Sequence, residues 1–167
     1  SINLDILVLA TGFDAMTGAI KKLGIHGRSG TSLNDFWKNG PRTYIGMQIP
    51  MFPNLFVVAG PGSPSVLTNM PRVIEQNIDW IVECIKFLEE RKLNYIEAEE
   101  SMADDWTQNV QKVADETLFV QAKHSWYLGA NIPGKPCLFY PYAGGLPTYT
   151  KLCKNIQQDN YRGFITG

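Results

Sequence analysis

Apolar residues fall along this chain in two rhythms. Leu4-Asp5-Ile6-Leu7-Val8-Leu9-Ala10 is a nearly continuous apolar run stopped by Thr11-Gly12, the pattern of a buried parallel strand entering a turn. Leu55 to Ala59 repeats it and stops at Gly60, and Thr43 to Met47 reads as a further strand. The two glycine-ended runs, 4–10 and 55–59, predict neighbouring parallel strands of one small sheet. The second rhythm is helical. Ser32 caps a short helix to about Lys38, stopped by Asn39-Gly40-Pro41. The clearest helix runs from about Asn69 to Arg91, with Thr68 or Asn69 as cap and Pro71 in the first turn. Val73, Ile74, Ile78, Ile81, Val82, Ile85 and Leu88 predict one apolar face on it. A third helix is expected from about Glu97 to Thr117, with Met102, Trp106, Val110 and Val113 inward, and a last one from Pro147 to Gln158. Residues 13–32, rich in glycine and small side chains, read as irregular, as does the stretch 119–145 with its Pro-Gly breaks. The fold class is α/β: a small parallel sheet, several helices and long loops.

Composition narrows the function. The 167 residues are 44% hydrophobic, and Lys plus Arg (15) nearly balance Asp plus Glu (16). There is enough apolar surface for a folded domain, and no basic excess for a nucleic-acid partner. No apolar run is long enough to cross a bilayer. Three cysteines without C-x-x-C spacing argue against a disulfide scaffold or a zinc site, and fit a reducing cytoplasm. A buried strand at 4–10 needs neighbours on both sides, and few other segments can supply them. The expectation is therefore a piece of a longer protein.

Three places carry candidate chemistry. Ala10-Thr11-Gly12-Phe13-Asp14 is a strand ending in a small-residue turn, where backbone N–H groups can approach a ligand. Gly60-Pro61-Gly62-Ser63-Pro64-Ser65 is a rigid loop leading to the helix start at Asn69-Met70, whose free N–H groups suit an anionic or electron-rich group. It is not a P-loop, because no Gly-Lys-Ser/Thr follows. His124 to Lys135 gathers aromatics, an amide and a cation on a loop; Trp126 can stack or donate its indole N–H, and Lys135 can meet a phosphate. For each, an ordinary connection or a core anchor explains the residues as well. His26 and His124 lack ligand spacing, and Glu99-Glu100 with Asp104-Asp105 read as a solvated helix face. Taken residue by residue, the chain is part of an α/β nucleotide or cofactor binder.

The motifs together say more. Leu7 to Ala15, Gly40-Pro41-Arg42-Thr43-Tyr44, Phe52 to Phe56, Gly60 to Ser65 and Gly129-Ala130-Asn131-Ile132-Pro133-Gly134-Lys135 occur in this order. The series resembles the C-terminal part of type I Baeyer–Villiger monooxygenases, nearer to the phenylacetone-oxidising type than to the cyclohexanone-oxidising one. The resemblance covers essentially the whole chain. It implies the C-terminal portion of a flavoprotein with two dinucleotide-binding domains. Residues 1–70 would belong to the FAD-binding domain, and 71–167 to a helical region with a mobile NADP-side loop at about 119–145. It also implies FAD and NADPH as cofactors, O₂ and a small-molecule ketone as substrates, and an ester or lactone as product, formed through a flavin C4a-peroxide. By motif, Ala10, Thr11 and Gly12 line FAD, Met70 presents its backbone to the flavin, and Trp126 contacts the NADP side. Pro64, Ser65, Val66 and Leu67 match the loop that shapes substrate choice. Both G-x-G-x-x-G fingerprints and the active-site arginine of the family are absent from these residues, and Arg42 is not that arginine. Partners are then the missing N-terminal part of the same enzyme and the ketone, with no nucleic acid or membrane, no metal, and no catalytic residue in this chain. The isolated chain is expected to be inactive. The alternative is a non-catalytic binding or interaction module that keeps part of the monooxygenase fold.

Overall fold

The computed structural model describes residues 2–10 and 12–167, and of Val66 the backbone only. Its frame is three amphipathic helices: α3 (Met70–Arg91), α4 (Glu100–Asp115) and α5 (Leu146–Gln158). Two short helices, α1 (Gly18–Lys21) and α2 (Leu33–Phe36), precede them. Local chemistry sets the ends. The Asn69 side chain accepts the Arg72 N–H, and Lys92 closes α3 in a left-handed conformation at φ 57°. Ser32 caps α2 by accepting from Asp35 N.

Among the described residues the one sheet is an antiparallel pair, β1 (Ile96–Ala98) with β2 (Phe164–Thr166), in register Ile96↔Thr166 and Ala98↔Phe164. It clasps the chain end to the middle, and the Gly167 carbonyl accepts from both Asn94 and Tyr95. Above it lies the main core, in which Trp80, Cys84, Trp106, Tyr149 and Ile156 pack with Tyr44 and Ile45. That core draws side chains from both sides of residue 70. A smaller cluster of Leu33, Trp37, Ile49 and Phe52 supports the first third of the chain.

Four expectations are corrected. Residues 4–10 and 55–59 do not pair, and no parallel sheet exists among the described residues. Leu4, Ile6, Leu7, Val8 and Leu9 stand 63–80% exposed, because an apolar strand sequence does not become a strand without neighbours to bond. Phe56 instead bridges Gln48, and Thr43–Met47 is a tight turn closed by a Tyr44↔Gln48 bridge. The apolar face of α3 is rotated: the buried residues are Val73, Asn77, Trp80, Cys84 and Leu88, whereas Ile74, Ile78, Val82 and Ile85 are 36–45% exposed. The helix thus carries two adjacent stripes, of which one meets the core. Finally, α4 starts at Glu100 rather than Glu97, because Ile96–Ala98 is taken by β1. Its inward residues are Ala103, Trp106, Val110 and Ala114, with Met102 and Val113 at the margin.

Candidate functional site

The loop Gly60–Ser65 is buried throughout and anchored on every side. Gly62 N donates to Tyr140 O at 2.7 Å, Trp106 Nε1 donates to Gly62 O at 3.0 Å, and Thr43 Oγ1 donates to Pro61 O at 2.6 Å. Tyr142 N reaches Ser63 O at 2.7 Å. Gly62 has φ 87°, and a Cβ there would sit 2.9 Å from the Trp106 indole nitrogen, so glycine is required twice over. Pro64 and Ser65 are buried, Leu67 half-buried; Ser65 takes φ 46° and its hydroxyl donates weakly to Ala59 O at 3.4 Å.

From this loop a 3₁₀ turn, Ser65–Leu67, leads to α3. The first-turn donors there are not equivalent. Asn69 occupies the Arg72 N–H, and Pro71 has none. The Met70 N–H takes no protein acceptor among the described residues, and Met70 is half-buried. One backbone donor at the positive end of a 22-residue helix is thereby left open.

The turn that follows Ala10 and the segment 126–135 meet in space. Ala10 and Gly12 are exposed; Thr11 lies outside the described residues. Lys135 Nζ, on a side chain only 9% exposed, bonds Asp14 Oδ1 at 2.5 Å and Ala15 O at 3.1 Å, and lies over the Tyr140 ring at 4.6 Å. Asn131 Nδ2 donates to Phe13 O at 3.0 Å. Lys135 is thus an internal counter-ion rather than a free cation for a phosphate. Trp126 is half-buried, its ring 4.4 Å from that of Tyr127. The indoles of Trp37, Trp80 and Trp106 each donate to a backbone carbonyl, whereas that of Trp126 has no protein acceptor among the described residues.

Other charged groups are structural. Arg42 grips Asp104 at 2.6 and 2.8 Å and Glu100 at 2.8 Å, so the acidic face of α4 is half engaged rather than simply solvated. The hydrogen bonds that Arg42 donates to Asp104 raise the guanidinium pKa further. Glu97, 7% exposed, accepts from Arg28 Nε at 2.6 Å and from Met51 N at 2.9 Å, and ties the first third of the chain to β1. Nothing in the spacing of residues 28 and 97 announces that pair. The His26 ring bonds Gly24 O, and His124 is exposed. Among the described residues no three His, Cys, Asp or Glu side chains converge, and no helix is long and apolar enough to cross a membrane.

No protein-family model matches the chain. Curated relatives do. It is 40% identical over 163 residues to the cyclohexanone 1,2-monooxygenase of an Acinetobacter species, covering 98% of this chain and 30% of that protein. It is 38% identical to a Baeyer–Villiger monooxygenase of Pseudooceanicola batsensis, covering 98% and 29%. It is 37% identical to the phenazine N-monooxygenase PhzNO1 of Lysobacter antibioticus, covering 98% and 30%. Solved structures agree. Cyclohexanone monooxygenase from Rhodococcus sp. Phi1 bound to NADP+ superposes with a TM-score of 0.94 at 39% identity, over 99% of this chain and 30% of that one. The OTEMO complex with FAD and NADP gives 0.92 at 29% identity, over 100% and 30%. The loop, the helix start and the 126–135 segment are therefore parts of a flavin monooxygenase scaffold. In sequence and fold this chain is similar to Baeyer–Villiger monooxygenases, and it spans about three tenths of the length of the relatives it matches.

Proposed function

We propose that this chain is the C-terminal part of a flavin-dependent Baeyer–Villiger monooxygenase that uses FAD, NADPH and O₂ to convert ketones to esters or lactones. The observation that carries the reading is the junction of the Gly12–Ala15 turn with the 126–135 segment through Lys135, Asp14 and Asn131, taken together with two donors that have no protein acceptor among the described residues, the Met70 N–H and the Trp126 indole. These residues fit two cofactors as one wall of a site. Ala10, Thr11 and Gly12 line FAD, and Met70 offers its N–H and the α3 dipole to the electron-rich edge of the flavin ring. Trp126 offers stacking area and one donor to the nicotinamide cofactor. The flavin, when bound, supplies the oxygen-transfer chemistry. This chain's own residues orient the ring edge, shape the ketone side through Pro64, Ser65, Val66 and Leu67, and exclude water. Residues 1–70 go with the FAD-binding domain, and 71–167 form a helical region bearing the NADP-side loop at about 119–145.

The chain alone is inactive and holds FAD weakly on this reading, since one wall cannot retain a cofactor whose pyrophosphate has no glycine loop here. The exposed apolar run 4–10 supports that view: it has the composition of a central strand and no sheet to join. The test is to titrate the purified chain with FAD, then repeat after joining it to the remaining part of the polypeptide. The joined protein is expected to retain flavin and consume NADPH with a ketone; the chain alone does neither. Stoichiometric flavin on the chain alone refutes the one-wall argument. Turnover of an aromatic amine but no ketone by the joined protein assigns the chemistry to N-oxygenation instead.

A further inference from the structure

Asn77 on α3 and Tyr149 on α5 are both fully buried, and neither hydrogen-bonds to Met70 or Trp126. They bond two strained backbone positions instead. Tyr149 Oη donates to Ile45 O at 2.6 Å, and Ile45 is a β-branched residue at φ 48°. Asn77 Nδ2 donates to the same hydroxyl at 3.3 Å, and Asn77 Oδ1 accepts the Ala59 N–H at 2.9 Å. Ala59 is also left-handed, at φ 52°. These two positions bracket the foundation of the Gly60–Ser65 loop. Ala59 immediately precedes it. Ile45 precedes Gly46, which lies so close beneath Ser63 that a Cβ on it would sit 2.4 Å from Ser63 N.

Non-glycine residues stay left-handed only where their surroundings over-determine them. Here a buried amide and a buried phenol do so, at a desolvation cost that apolar residues of the same shape would avoid. A phenylalanine would fill the space of Tyr149, and a leucine that of Asn77. What the polar atoms add is a fixed direction for two carbonyl and amide groups, and through them a fixed height for the loop.

We propose that Asn77 and Tyr149 are positioning residues that set the Gly60–Ser65 loop, and with it the shape presented to the ketone by Pro64 to Leu67. The inference rests on the monooxygenase reading. It places part of substrate selection on a hydrogen-bonded pair behind the loop rather than on a side chain facing the ketone.

The test uses the complete enzyme, this chain joined to its remaining part, with Tyr149→Phe, Asn77→Leu and Asn77→Asp. The readouts are kcat/KM for a small cyclic and a bulky aryl ketone, KM for NADPH, and flavin content. Tyr149→Phe and Asn77→Leu are expected to change the ratio of kcat/KM between the two ketones by about fivefold or more, chiefly through KM, with NADPH KM and flavin content unchanged. Asn77→Asp keeps the acceptor for the Ala59 N–H but loses the amide donor to Tyr149 Oη, and is expected to move the ratio less than Asn77→Leu does. A ratio unchanged in both variants, with only thermal stability lowered, overturns the proposal. A second measurement is independent of ketone turnover. In this chain, amide hydrogen exchange at Ala59, Gly60, Gly62, Ser63 and Ser65 should quicken roughly tenfold in Asn77→Leu relative to amides of α4. If the parent enzyme oxidises no ketone, the functional reading fails, and the exchange result alone decides the positioning role. Equal protection in the variant and the parent overturns it.

Discussion

Arg42→Met removes three charge-assisted hydrogen bonds and also the cation–π contact of the guanidinium with Phe36, whose ring centre lies 4.9 Å from it. The three hydrogen bonds are the fork onto Asp104 at 2.6 and 2.8 Å and the bond to Glu100 at 2.8 Å. A fully buried pair that loses one partner costs about 3–5 kcal/mol, and an exposed pair at most about 1. Arg42 is 28% exposed, Asp104 44% and Glu100 59%, so both carboxylates recover water when the arginine goes. The expected loss is about 1.5–2.5 kcal/mol, nearer the exposed limit because of that solvation. For a chain of this size it corresponds to a fall of about 5 °C in Tm. Urea unfolding followed by tryptophan fluorescence gives the free energy. A cycle with Asp104→Asn isolates the pair, with an expected coupling of about 1 kcal/mol. A coupling near zero would refute the argument from geometry. In the complete enzyme the same substitution should leave ketone turnover within about twofold once the protein is folded, because Arg42 spends its donors on α4. A folded variant without activity would show that this arginine serves the chemistry.

Trp126→Ala in the complete enzyme should raise the NADPH KM or uncouple turnover to free peroxide, at a cost of about 1–3 kcal/mol, with flavin content unchanged; flavin loss with normal NADPH kinetics would make Trp126 a core anchor. Lys135→Met strands the Asp14 carboxylate beside Ala15 and should loosen both the Gly12–Ala15 turn and the 126–135 segment, read as faster proteolysis within 119–145; an unchanged digestion pattern refutes the tether. Burial pushes the Cys84 and Cys153 thiols up to about 12, so near pH 8 a disulfide reagent should label Cys137 alone in the native chain and all three cysteines in urea. The same shifts fix a sign for stability. The unfolded thiols ionise near 9 while the folded ones stay protonated, so stability is intact below about pH 9 and falls above it, by up to about 1.4 kcal/mol per pH unit for each thiol. A urea midpoint that is the same at pH 7.5 and pH 10.5 would contradict it.

Local signals determined four of the five α-helices among the described residues; α1 lies in the stretch 13–32 that read as irregular. Ser32, Asn69 and Pro71 start two of the four, and the spacing of Trp106 and Val110 turns α4 inward as expected, whereas α2 ends at Phe36, ahead of the Lys38 end expected before Asn39-Gly40-Pro41. These features act within one or two turns of chain, where sequence order and spatial order coincide. The ordered motifs from Leu7 to Lys135 likewise carried the monooxygenase resemblance, because each is a contiguous string. Tertiary structure alone decided the rest. Pairing β1 with β2 joins residues nearly seventy positions apart, and no pattern within Ile96–Ala98 distinguishes a strand from the first turn of a helix. The run 4–10 shows the converse: it is strand-like by composition but unpaired, since a strand is a relation between segments and this one lacks its neighbours. On α3 both apolar stripes satisfy the same periodicity. Only packing against α5 and the core selects Val73, Asn77, Trp80, Cys84 and Leu88, and buries the polar Asn77 where periodicity favours an isoleucine. The tethers Lys135–Asp14, Arg28–Glu97 and Tyr149–Ile45 were invisible for the same reason: a charge or a hydroxyl declares its own chemistry in sequence, but its partner is chosen by the fold.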